Sequence, residues 1–402
     1  MRINLLGLFS SALIASVFVG ACATGPDATG GMSPDSSDGG GATGAETGTT
    51  DATQIGTGDD GATNTETGPG DASATSDTGM NGTDFDGSSP DASVGDAREG
   101  GTPAATRSAG CGTAPPPNVM LGGWTDMADP GNGNPPPIKA GNVNRGYWVY
   151  VPANYDRNKP YKVIYQGAGC GVPYPNGNGQ SNKSGMGTYQ PVWPFQNVDM
   201  GEAIQVGIDY GYSIPNCYDD HNPQSNDFTF FPILKTMIES TFCVDASHVY
   251  LSGHSSGSWW TNQMTCAFGN EIRGIAVSTG GEPPQQPACV TGAHIASLFL
   301  HDFNDQLNSY QGVLPACARA LKNNGCATTT CDPSNAATTT PWPILQGLTI
   351  PGKGQCVQFN GCPADSPVVF CTTTNADPGG QNHYEFVNSF IAPLFWHLFS
   401  QF

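Results

Sequence analysis

A short apolar strand running straight into Gly253-His254-Ser255-Ser256-Gly257 constrains this 402-residue chain more than any other feature. The approach is Val249-Tyr250-Leu251-Ser252, and a helix is expected from near Ser258. G-x-S-x-G between a strand and a helix demands a sharp turn that pushes one hydroxyl out of a sheet edge. Gly253 and Gly257 remove the Cβ atoms that would collide there. In a chain with 54 glycines the five residues alone are weak evidence, and a Ser/Gly-rich loop is the bland alternative. The strand in front of them gives the pattern its weight. The N–H of Ser256 then points to where an oxyanion would develop.

A serine hydroxyl needs a base, and the base needs an acid to orient it. After such a turn the acid should follow a later strand, with the base later still. The run 295–300 reads as a strand and leads into His301-Asp302-Phe303-Asn304-Asp305, which offers Asp302 and Asp305. Asp332, Asp365 and Asp377 sit in irregular sequence and are poorer candidates. Two histidines come after that loop. His397 lies in Pro393-Leu394-Phe395-Trp396-His397-Leu398-Phe399, where a helix-packing role is expected. His383 closes the glycine-rich loop Gly379-Gly380-Gln381-Asn382-His383 and is the expected base, since catalytic groups are mounted on loops at strand ends. His254 occupies a variable position of the turn. His248 and His294 open strands, and His301 precedes the acids, the wrong order for the base. His221 with Asp219 and Asp220 could bind a cation. No HExxH or CxxC spacing supports zinc, and no cofactor is expected. Of Trp259 and Trp260, one is expected under the sheet and the other beside the cleft.

The rest of residues 108–402 alternates strands with helices. Strands are read at 147–151, 162–165, 203–208, 248–252, 274–278 and 295–300, short apolar runs suited to a buried parallel sheet. Residues 227–242 carry Phe228, Phe231, Leu234 and Ile238 at helical spacing, with Asn226 as the expected cap. Pro232 would sit best in a first turn, which argues for a start a few residues later. A final helix is read at 384–402, interrupted near Pro393. The alternation predicts an α/β fold with a mostly parallel sheet and helices on both faces. Residues 326–366 are Cys-, Thr- and Pro-rich and read as a disulfide-stapled insertion.

Residues 1–22 have the charge and apolar core of a secretory signal and end Val19-Gly20-Ala21-Cys22. That ending resembles the lipobox of bacterial lipoproteins, which implies lipidation of Cys22; an ordinary signal with a chance cysteine is the alternative. Acyl chains add about 0.8 kcal/mol per buried CH₂, so several would anchor the chain firmly. Residues 23–107 are Gly, Ala, Thr, Ser and Asp with one aromatic, Phe85. Such a stretch cannot bury enough apolar surface to offset its chain entropy and is expected to be a disordered linker. It faintly resembles calcium-binding nonapeptide repeats but keeps no fixed period. Beyond Cys22, twelve of the 13 cysteines remain, an even number that suits up to six disulfides in an exported chain.

Charged residues make up 12% of the chain and the formal charge is −20. With no basic cluster to neutralise phosphates, nucleic acid is excluded as a partner. No stretch after the N-terminus approaches the roughly 18 apolar residues of a membrane span.

The folded part, over about 143–400, resembles the carbohydrate esterase family 1 type of α/β-hydrolases, which includes feruloyl esterases, acetylxylan esterases and polyhydroxybutyrate depolymerase-like relatives. Three segments carry the resemblance: Tyr150-Val151-Pro152-Ala153-Asn154-Tyr155-Asp156 with Lys159-Pro160-Tyr161; Cys243-Val244-Asp245 with Val249-Tyr250; and 301–305, similar to the family's HGxxD. The last residue of HGxxD is the triad acid, which selects Asp305. The family's His-Gly-Cys-Gly is replaced by Ala168-Gly169-Cys170-Gly171, and the last glycine of its S-x-G-G by Ser258. The resemblance implies an α/β-hydrolase fold and a serine esterase with Ser255, Asp305 and His383 as triad. It also implies an oxyanion hole made by the N–H groups of Ser256 and Cys170. A feruloyl or acetyl ester of plant-wall polysaccharide is the first substrate class implied, and a polyhydroxyalkanoate the second. A surface lipoprotein that only binds glycan or polymer is the alternative of another class. The chain is expected to be a monomer, held at the cell envelope by its lipid or released outside.

Overall fold

The computed structural model describes residues 105–127, 137–170, 193–209, 217–218, 224–283, 288–352, 354–375, 381–383 and 390–402. The signal segment with Cys22, nearly all of the 23–107 linker, His221 with its aspartates, and Asp377 lie outside them.

A ten-stranded sheet organises these residues. Its centre is six parallel strands in the order β6 (Ala203–Ile208), β5 (Tyr161–Gly167), β7 (Val244–His254), β8 (Gly274–Ser278), β9 (Ala296–Asp302) and β12 (Val368–Thr373). Every residue of β6, β8 and β9 is buried, as strands covered on both faces require. Antiparallel strands close both edges. On one side are β4 (Tyr147–Tyr150) and β1 (Trp124–Asp126). On the other are β11 (Gln355–Phe359) and β10 (Thr339–Pro341). A separate hairpin pairs β2 (Ile138–Ala140) with β3 (Val143–Arg145).

Residue parity along the strands assigns the helices to faces. Tyr165 of β5 meets Phe231 of α1 (Asp227–Thr241), and Phe231 meets Trp260 of α2 (Ser256–Phe268). Tyr250, aligned with Ile164 rather than Tyr165, points the other way and packs on Phe399 of α4 (Ile391–Phe399). Helices therefore cover both faces. On the α4 face, Lys162 Nζ donates to the carbonyls of Phe399 and Phe402 at 2.8 and 2.7 Å, placing a cation at a helix C-terminus. The helix α3 (Tyr310–Asn323) lies over β9 and β12, with Tyr310 against Phe370.

Several boundaries differ from the sequence expectation, each for a local reason. α1 starts at Asp227 despite Pro232, which is accommodated inside the helix. Asn226 does not cap it, because its backbone is already helical and its side chain makes no capping bond. Ser225 Oγ accepts the Asp227 N–H instead, at 3.1 Å. Asp227 is held by a buried ion pair with Arg145 Nη1 at 2.7 Å, and the guanidinium lies over the Phe230 ring. α2 starts at Ser256 rather than near Ser258. β7 is 11 residues long, because Val244 and the polar residues after it extend the pairing before the apolar run begins. β9 runs through His301 and Asp302, which makes both strand residues rather than loop residues. Pro393 lies in the first turn of α4, and residues 384–389, the earlier part of the final helix read from the sequence, lie outside the described residues.

The 326–366 segment is stapled, and it also contributes β10 and β11 to the sheet, a regularity its composition hides. All twelve cysteines beyond Cys22 pair: 111 with 243, 170 with 217, 266 with 289, 317 with 331, 326 with 362, and 356 with 371. Each such bridge contributes about 2–4 kcal/mol, chiefly by restricting the unfolded chain.

Candidate active site

The turn between β7 and α2 presents Ser255. Its backbone has φ 52° and ψ −118°, a conformation side-chain-bearing residues rarely adopt. Strain of this kind persists where the surroundings over-determine it, and here they do. A Cβ on Gly253 would lie 2.2 Å from the Gly257 carbonyl oxygen, and one on Gly257 would lie 2.1 Å from that of Gly167. The first turn of α2 thus rests directly on β5, a contact only glycines permit. The Ser255 N–H donates to the Ser278 carbonyl at 3.0 Å, tying the turn to the end of β8.

Ser258, which stands where the related motif has glycine, is integrated into the turn. Its hydroxyl lies 2.8 Å from the Gly253 carbonyl and 2.6 Å from that of Ser278, and it accepts the Ser278 N–H. Gly280 makes the room: a Cβ there would lie 2.0 Å from the Ser258 Cβ.

Asp305 lies just past β9. Its Oδ2 accepts from His383 Nδ1 at 2.9 Å, and its Oδ1 accepts the N–H groups of Leu307 and Asn308 at 2.8 and 2.9 Å. His301 Nε2 is 3.4 Å from Oδ2 and donates to the Asn308 carbonyl at 2.9 Å. Burial alone would raise the Asp305 pKa. The hydrogen bonds from His301, His383 and the Asn308 N–H outweigh it and hold the carboxyl well below the usual range. The Nδ1 contact fixes the His383 tautomer with its proton toward Asp305, leaving Nε2 as the acceptor.

His383 is brought to the turn through His254, whose ring centroid is 5.0 Å from its own. Burial, then the neighbouring His383, pushes the His254 pKa down to about 3, so this imidazole stays neutral beside the expected base. Trp193 stands edge-on to His254 from the α4 side. The Ser255 hydroxyl has Asn308 Nδ2 at 3.5 Å, and among the described residues no hydrogen bond joins it to His383. Such contacts are often long before substrate binds. Asn308 Nδ2 also donates to the Thr279 carbonyl at 2.6 Å.

Beside the turn, residues 168–170 leave β5. A Cβ on Gly169 would lie 2.7 Å from His254 Nδ1 and 3.3 Å from Ser255 Cβ, so this segment presses on the turn. Cys170 follows directly and is bonded through sulfur to Cys217.

The other candidates fall elsewhere. Asp302 is buried at the end of β9, accepting from Thr373 Oγ1 and from the N–H groups of Asn304 and Asn375. His397 Nε2 donates to the Pro343 carbonyl beside Trp342. Trp260 is in the core, while Trp259 is half-buried against Gly281. The sequence left Asn308 and Tyr218 unmarked and gave His301 only a structural role. What distinguishes all three is tertiary contact, which no local pattern encodes.

No protein-family model matches the chain. Among curated proteins it is 29% identical over 204 residues to "Probable feruloyl esterase C" of Aspergillus niger, covering 49% of this chain and 69% of that one. It is 24% identical over 321 residues to "Feruloyl esterase D" of Neurospora crassa, covering 74% and 92%. A "Poly(3-hydroxyoctanoate) depolymerase" of Pseudomonas fluorescens is 28% identical over 140 residues, covering 29% and 50%.

Proposed function

We infer that this chain, an α/β-hydrolase of the carbohydrate esterase family 1 type, hydrolyses carboxylic esters with Ser255 as nucleophile. The observation that carries the reading is the 2.9 Å bond from His383 Nδ1 to a buried carboxylate beside the Ser255 turn. His383 Nε2 takes the hydroxyl proton as Oγ attacks the ester carbonyl. The N–H groups of Ser256 and Cys170 hold the oxyanion, the larger electrostatic contribution in such sites. The carbon–oxygen bond to the alcohol breaks, and the alcohol leaves with the proton from His383. Water, deprotonated by the same imidazole, releases the acid and regenerates Ser255. Asp305 stays ionised and stabilises the imidazolium in both halves.

The feruloyl esterase relatives support a feruloyl ester as substrate, and the proposal extends to acetyl esters and places both on plant-wall polysaccharide. The depolymerase relative favours a second reading, a polyhydroxyalkanoate, over a smaller share of the chain. A panel of methyl ferulate, acetylated xylan, p-nitrophenyl acetate and polyhydroxybutyrate film separates them. Turnover of methyl ferulate or acetylated xylan well above the polyester is expected. Polyester-only turnover transfers the assignment to the second reading. Binding of xylan without hydrolysis of any ester makes the chain a binder.

Residues 1–22 and the 23–107 linker support a lipid-anchored hydrolase held off a bacterial membrane on a flexible tether, on the order of 50 Å r.m.s. long. Cys22→Ala is expected to release or misprocess the protein. An unchanged membrane pool on fractionation of that variant would rule out lipidation at Cys22.

A further inference from the structure

We infer that the two-residue segment Cys217-Tyr218 clamps both donors of the oxyanion hole in place, with Tyr218 as the positioning residue. This rests on the reading above, in which Ser256 and Cys170 supply those donors. Three attachments converge from the segment. Cys217 is bonded through sulfur to Cys170. The Tyr218 phenol accepts the Ala168 N–H at 3.2 Å and donates its own proton to the Ile208 carbonyl at 2.8 Å. The Tyr218 N–H donates to Ser256 Oγ at 2.9 Å. The side chain is fully buried, and its ring centroid is 5.7 Å from that of Trp260 in α2. Two consecutive residues therefore grip the segment after β5, the end of β6 and the first residue of α2.

The chemistry needs such a grip. An oxyanion donor works when it is fixed about 2.7–3.1 Å from the oxygen before charge develops. Residues 168–170 have left the β5 ladder, and neither Ala168 nor Gly169 has a polar side chain to fix them. On one side they press against His254 and Ser255. On the other, Tyr218 and the bridge supply the missing restraint. The same residue holds the Ser256 side chain, so both donors are referred to one buried point. Their spacing is set there rather than by each loop separately.

Tyr218→Phe keeps the ring and removes the phenol. Its expected effect on p-nitrophenyl acetate hydrolysis is a fall of about 10-fold in kcat with KM nearly unchanged, a fraction of the loss when an oxyanion donor is deleted outright. The affinity for benzeneboronic acid, which forms a tetrahedral adduct on the serine, should fall by the same factor. The Cys170→Ser/Cys217→Ser double variant opens the bridge, leaves the phenol in place and should show the same paired loss. It carries the test if Tyr218→Phe does not fold. Wild-type kcat and boronate affinity in whichever of these variants folds, with Ser255→Ala inactive, overturn the clamp and leave the esterase standing. A lowered melting temperature with both kinetic readouts intact overturns it too, since packing alone would do that. Full activity of Ser255→Ala removes the underlying reading instead.

Discussion

Ser255→Ala and His383→Ala are each expected to lower kcat for ester hydrolysis by about 10⁴- to 10⁶-fold. The domain should stay folded in both. Ser255 sits at a turn whose shape is imposed by Gly253, Gly257 and the Ser258 hydroxyl, none of which the alanine disturbs. His383 is bonded to Asp305 at the margin of the core, and its removal leaves the carboxylate with its two backbone donors. The losses should not multiply in the double variant. A serine without its base and a base without its serine both lack the same proton transfer, and what survives comes from the oxyanion donors and substrate binding. Initial rates on methyl ferulate and p-nitrophenyl acetate, with circular dichroism as the folding control, measure this. Wild-type rates for Ser255→Ala on every ester tried would show that this turn does not carry the chemistry.

Asp305→Asn should cost somewhat less, about 10³- to 10⁴-fold in kcat, because the nucleophile and base remain while the imidazole loses its orienting charge. Asp302→Asn is the informative contrast. By sequence Asp302 is the rival candidate acid three residues away. In the fold its carboxylate is buried and receives three donors where β9 ends beside β12. Its substitution should lower the melting temperature, with about 1–3 kcal/mol lost, and change kcat little. His397→Gln, at the far end of α4, should change kcat little as well. The opposite result, kcat collapsing with Asp302→Asn and surviving Asp305→Asn, would move the acid back along the chain. Asp305 also has a pH signature. Its carboxyl is held below the ordinary aspartate value, so the stability it contributes is complete above that value, near pH 4, and is lost as pH falls further. The melting-temperature gap between wild type and Asp305→Asn should therefore narrow below about pH 4.

Some of this architecture is written locally and some is not. β6 and β8 can be read to the residue because each is a short apolar run buried on both faces. The serine turn is legible because sterics alone demand its glycines. β10 and β11 are hidden, since Thr339, Thr340, Gln355 and Gln358 resemble loop residues until the Cys356–Cys371 bridge and the β12 edge pair them. The choice of Asp305 over Asp302 could not come from spacing; family resemblance supplied it, and the contact with His383 at 2.9 Å supports it. Asn308 and Tyr218 carried no signal. An asparagine in a polar loop and a tyrosine after a cysteine become distinctive only when distant strands bring Ser255 and Ala168 to them.

The segments that bear Asp305 and His383 share more than the bond between those two side chains. The Phe303 N–H donates to the Thr373 carbonyl, the Gln306 N–H to the Gln381 carbonyl, and Asn382 Nδ2 to the Asn304 carbonyl. Asn304 Nδ2 adds a bond to Asn375 Oδ1. These stitches join the segments around Asp305 and His383 to each other and to the end of β12, in the same sheet that carries the Ser255 turn. The Asn308 side chain adds a link from this region to the Ser255 turn, through Ser255 Oγ and the Thr279 carbonyl. A displacement of either the Asp305 or the His383 segment is therefore shared by the other.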